Sequence, residues 1–144
     1  MHYRLIEVQQ KALQAFNSGR LQEAVNLFEA IVKQAPDWEH GTAVYSLACC
    51  YEDLGDLVSA EKSFRRALQC EPENPTFLGG LASFLFLHGD VAESFDTHLA
   101  LLQMVRRSGN ELRAKSIETA LKALGERMGL PDEVVAERIA AKTE

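Results

Sequence analysis

Apolar residues recur three and four positions apart along most of the chain, the spacing of amphipathic helices. Over residues 4–17, Leu5, Val8, Ala12, Ala15 and Phe16 form one stripe, which Ser18-Gly19-Arg20 interrupts. A second helical stretch runs from Leu21 to Val32 and stops at Ala35-Pro36, since proline disfavours helical backbone in the residue before it. The pattern then repeats. Ala43 to Asp53 carries Val44, Leu47, Ala48 and Tyr51 on one face, Leu54-Gly55-Asp56 turns the chain, and Val58, Ala60, Phe64, Ala67 and Leu68 mark a helix that ends at Glu71-Pro72. A third copy spans Thr76 to Leu87, turns at His88-Gly89-Asp90 and continues from Val91 to Leu102. After Ser108-Gly109-Asn110, Leu112, Ile117, Leu121, Leu124 and Met128 are expected on one face, and a short last helix is expected over Glu133 to Ala141. No stretch has comparable strand character.

Thr76 to Leu87 stands apart because it has no charged residue and is apolar around its whole circumference. Twelve residues are too few for a bilayer, which takes about twenty. Such a helix must be covered on nearly every side. Gly79 and Gly80 inside it each cost roughly 1 kcal/mol relative to alanine, so something is expected to pack close to that backbone.

Gly19, Gly55 and Gly89 are 36 and 34 residues apart, and Pro36 and Pro72 are also 36 apart. A helix–turn–helix unit of about 34 residues resembles the tetratricopeptide repeat. The second copy carries the resemblance best, with Leu47-Ala48, Tyr51, Gly55-Asp56, Ala60, Phe64, Ala67 and Pro72. The first keeps Ala12, Gly19, Ala24, Phe28 and Pro36 but has Lys11 and Ala15 where the family prefers larger apolar residues. The third keeps Leu81-Ala82, Leu85 and Gly89-Asp90 but has Ser94 for alanine, His98 for an aromatic and Arg106 for the closing proline. The resemblance implies an all-α, right-handed α-solenoid: three repeats within residues 1–107 (about 5–36, 41–72 and 75–106), then capping helices over 108–144 that a degenerate fourth repeat also describes.

Composition narrows the chemistry. A net charge of −6 opposes nucleic-acid binding, which rests on phosphate neutralisation. The residues from Met1 to Glu7 place charge where a signal peptide needs its apolar run. Cys49, Cys50 and Cys70 form no CxxC and are read as small apolar fillers in a reducing compartment, so a cytoplasmic protein is expected. His2, His40, His88 and His98 share no metal-ligand spacing, and no phosphate loop or nucleophile elbow occurs. Neither an enzyme nor a cofactor is expected.

Function must then lie on surfaces. The resemblance implies that the first helix of each pair lines a concave groove. The lining would be Gln9, Leu13, Phe16 and Asn17 from the first repeat, and Thr42, Tyr45, Ser46, Cys49, Glu52 and Asp53 from the second. The third would give Thr76, Gly79, Gly80, Ser83, Phe86 and Leu87. Family members that clamp heat-shock-protein carboxylates carry cations on these helices, whereas Gln9, Leu13, Ser46, Thr76 and Gly80 stand at the matching positions here. An adaptor for an apolar or basic-amphipathic protein segment is therefore expected, Glu52 and Asp53 favouring nearby Lys or Arg. Two alternatives stay open: a chaperone dedicated to one exported or aggregation-prone partner, similar to small bacterial secretion chaperones, and self-assembly as a homodimer. In the last case, or under the C-terminal helices, Phe77, Leu78, Phe86 and Leu87 would be covered.

Overall fold

The computed structural model describes residues 2–143, and every regular element among them is helical. The chain divides into two compact units, Met1–Pro72 and Glu73–Glu144.

The first unit holds α1 (His2–Asn17), α2 (Leu21–Gln34), a 3-10 turn (Trp38–Gly41), α3 (Thr42–Leu54) and α4 (Leu57–Cys70). Neighbours in sequence pack on one another, α1 on α2, α2 on α3 and α3 on α4. Ala12, Ala24, Ala48 and Ala60 have no exposed surface, so paired helices approach closely where side chains are short. Phe28 and Phe64 fill the intervening space. Burying a ring of that size contributes about 1.5–3 kcal/mol.

The 3-10 turn was not foreseen, and it explains the longer first spacing. Glu39 and His40 adopt φ of 47° and 59°, and Gly41 follows at 100°. Two consecutive non-glycine residues in the left-handed region carry backbone strain. Packing holds the turn in place. Trp38 Nε1 donates to Gln9 Oε1 at 3.3 Å, Gln9 Nε2 donates to Glu39 Oε2 at 3.1 Å, and Thr42 Oγ1 donates to the Glu39 carbonyl at 2.8 Å.

The second unit holds α5 (Pro75–His88), α6 (Val91–Arg107), α7 (Glu111–Arg127) and α8 (Asp132–Thr143). Asn74, Asp90 and Asn110 cap α5, α6 and α7 by accepting backbone N–H bonds at 2.8–3.2 Å, as short polar side chains do at helix starts. Helix α6 packs against α5, α7 and α8. Phe95, Leu85, Leu102, Leu121 and Leu124 are fully enclosed. Gly89 differs from the other turn glycines. Its φ is −112°, and a Cβ there would stand 2.6 Å from Leu85 Cδ2, so close packing rather than handedness requires glycine.

Two residues of the apolar pattern face outward. Leu112 is 81% exposed and Val58 77%. Leu112 lies about 140° around α7 from the buried Ile117, and Val58 about 160° around α4 from the buried Ala60.

Candidate functional site

In the first unit, the face of α1 and α3 exposes polar and apolar groups side by side. Leu13 is 42% exposed and Asn17 open, while Phe16, Thr42, Ser46 and Glu52 are half-buried and Asp53 is exposed. Tyr45 meets Phe64 edge-on, with ring centroids 5.7 Å apart, so one side of its ring is already packed. Gln9 is engaged by Trp38 and Glu39 of the 3-10 turn.

Cys49 is half-buried beside Tyr45 and Glu52. Burial, then the Glu52 charge, pushes its thiol up to about 11, and burial pushes Cys50 up to about 12. Both shifts run away from the thiolate that nucleophilic or redox chemistry requires.

In the second unit, α5 sorts its apolar circumference into two sides. Phe77, Leu78, Leu81, Phe84 and Leu85 turn into the core. Thr76 and Ser83 are exposed, Gly79, Gly80 and Phe86 half-buried, and Leu87 is 66% exposed. Neither α7 nor α8 therefore covers Leu87. Phe86 is partly covered: its ring lies 6.1 Å from that of His98 in a T-shaped arrangement.

Helix α7 sends two arginines onto this face. Arg113 Nη2 donates to the Pro75 carbonyl at 3.4 Å. Arg127 Nη1 donates to the Phe86 carbonyl at 3.0 Å, and its guanidinium lies 5.7 Å from the Phe86 ring centroid. These contacts use one N–H of each five-donor guanidinium, leaving others to a ligand. Sequence reasoning missed both because it drew the lining only from the three repeats and treated α7 as a cap. A signal was present, since residues fourteen apart on a helix return to nearly the same face.

Beneath the face, His98 and Ser94 replace the family's aromatic and alanine as a linked pair. His98 is buried, and its Nδ1 lies 2.7 Å from the Ser94 carbonyl and 3.3 Å from Ser94 Oγ. A carbonyl only accepts, so Nδ1 carries the proton. Burial holds the His98 pKa below its ordinary value despite that bond. Among the described residues no three His, Cys, Asp or Glu side chains come together to hold a metal ion, and no helix is long and apolar enough to cross a membrane.

Comparison with known proteins agrees with this architecture. Residues 10–75 match the family described as "Tetratricopeptide repeat". No curated protein sequence matches the chain. Among solved structures, the TPR2B domain of yeast Sti1 in complex with pHsp70 is similar at TM-score 0.75 and 16% identity, covering 87% of this chain and 98% of that one. The Yersinia enterocolitica type III secretion translocator chaperone SycD is similar at TM-score 0.76 and 17% identity, covering 90% and 89%. SycD in complex with a peptide of the translocator YopD is similar at TM-score 0.75 and 16% identity, covering 87% and 95%. At such identities the likeness concerns fold. Helix-pair spacing, buried alanines and phenylalanines and this match together identify residues 10–75 as tetratricopeptide repeats, and the chain shares the helical-repeat fold of these structures.

Proposed function

We propose that this protein is a non-enzymatic binding module that holds an apolar or amphipathic segment of a partner protein on a first-helix face of a repeat. The observation that carries this reading is the outer side of α5. Leu87 stands 66% exposed beside half-buried Phe86, and Thr76 and Ser83 line the same helix without bulk or charge. An apolar side chain of the partner would sit on Phe86 and Leu87, while Arg113 and Arg127 offer donors to its carbonyl or carboxylate oxygens. The α3 face, where Glu52 and Asp53 stand, suits Lys or Arg instead.

A chaperone dedicated to one partner is the second reading, and the fold shared with SycD in its YopD-peptide complex favours it. The two differ in stoichiometry. A dedicated chaperone co-purifies with one protein in near-equal amounts, whereas an adaptor exchanges its ligands.

A pull-down with wild type beside Gly80→Arg, followed by mass spectrometry, tests the site. Proteins retained by wild type and lost by the variant support it. Identical lists, with both baits still helical by circular dichroism, would remove function from α5.

A further inference from the structure

A second surface of the first unit is charged in a way that α1 and the outer face of α3 are not. A cleft of ≈ 810 Å³ opens over α3, bounded by α2 and α4. Lys33, Lys62, Arg65 and Arg66 line it, four of the 15 Lys and Arg in a chain of net charge −6. The one carboxylate in its lining, Glu29, is held by the Tyr51 hydroxyl. Arg65 is paired with Glu61 at 3.5 Å. Lys33, Lys62 and Arg66 have no ion-pair partner among the described residues and extend from exposed positions. Val32, Leu47 and Pro36 supply apolar surface between the cations.

We infer that this cleft is a docking site for an acidic segment of a partner protein, separate from the α5 face. Charge complementarity selects the occupant. The chain as a whole repels anions, so an acidic segment is drawn to a concave place where unpaired cations gather. Apolar surface between the cations suits an acidic peptide with an apolar side chain better than a bare anion. Placement along the helices argues the same way. Lys33 and Gln69 stand in the last turns of α2 and α4, where the partial negative charge of helix C-termini disfavours a compact, multiply charged phosphate. Spaced carboxylates, each meeting one cation, tolerate that field. The cleft's open form admits a peptide without rearrangement, and Lys33, Lys62 and Arg66 can adapt to the spacing of the carboxylates.

The test titrates the full chain with a fluorescein-labelled peptide of alternating Glu and Leu, and with a Lys–Leu counterpart as control. Saturable binding of the Glu–Leu peptide is expected, weakening with added salt. Lys62→Glu combined with Arg66→Glu should reduce affinity at least about tenfold, while Leu87→Glu leaves it unchanged, which separates this cleft from the α5 face. If the double reversal fails to fold, Lys62→Gln with Arg66→Gln should still weaken binding by about threefold or more. Equal binding of both peptides, equal affinity in the charge variants, or displacement of the peptide by inorganic phosphate or a short single-stranded RNA at lower concentration than by unlabelled peptide would each overturn the proposal.

Discussion

Arg113 and Gly79 fit together as guest and gap. A Cβ built at Gly79 would stand 2.8 Å from Arg113 Nη2, so the guanidinium occupies the space that any other residue's side chain would need. The glycine that looked made for the approach of a bound chain already admits an arginine from α7. The arrangement keeps a cation on α5, a helix whose own sequence carries no Lys or Arg.

Gly79→Ala should therefore leave stability unchanged or raise it slightly. A flexible arginine tip moves aside at little cost, and alanine favours a helix interior by about 1 kcal/mol. Gly125→Ala should do the opposite. Its Cβ would stand 2.4 Å from Val135 Cγ2, and Val135 is buried between packed helices. Overpacking of that kind costs typically about 1–3 kcal/mol. Thermal unfolding of the two variants checks the contrast, and faster hydrogen exchange in α8 should accompany the second.

His98 should make stability depend on pH in acid. Its folded pKa lies below the ordinary 6.5, chiefly because burial disfavours the charged ring, so the unfolded chain binds the proton more readily. The contribution is complete above about pH 6.5 and is lost as pH falls through and below that value, by up to about 1.4 kcal/mol per pH unit. Urea unfolding of wild type should weaken from pH 7 to pH 5 more steeply than that of His98→Phe. Equal slopes would mean that the ring is not buried as a neutral donor to the Ser94 carbonyl.

Cys49 and Cys50 should react slowly. With thiols at about 11 and 12, almost no thiolate exists at pH 8, whereas an unperturbed cysteine near 8.5 is partly ionised. Labelling of these two by a thiol-specific disulfide reagent should be at least about a hundredfold slower in the folded chain than in denaturant. Mass mapping after labelling distinguishes them from Cys70.

The 3-10 turn should be intolerant of change at Gly41. Its φ of 100° is strained for any other residue, and a Cβ there would lie 2.9 Å from Cys70 Cβ. Gly41→Ala should destabilise by more than Gly55→Ala, where φ is also positive but nothing lies within 4 Å. Comparing the two unfolding midpoints separates the cost of contact from the cost of conformation.

The helices and their turns were legible because each obeys a local rule: an apolar stripe, a glycine or proline at the break, or a short polar cap such as Asn74 or Asp90. The 3-10 turn was hidden because Glu39 and His40 carry no residue type that announces a left-handed backbone. Tertiary packing holds that conformation. Leu112 was misjudged because apolar character alone does not fix a face, and its angle from Ile117 turns it to solvent. At the candidate site, the positions on α5 followed from the repeat register. Arg113 and Arg127 did not, because they reach across from a neighbouring helix whose packing no local pattern reveals.

The most direct test of function on α5 is a binding titration with the partner segment recovered by pull-down, using wild type, Leu87→Glu and Gly80→Arg. Both substitutions place charge on the outer side of a helix whose core side is untouched, so circular dichroism and unfolding midpoints should hardly move. Binding should fall at least about tenfold in each, since a buried charge would replace the apolar contact. Undiminished affinity in both variants would contradict the assignment and place the partner elsewhere on the chain.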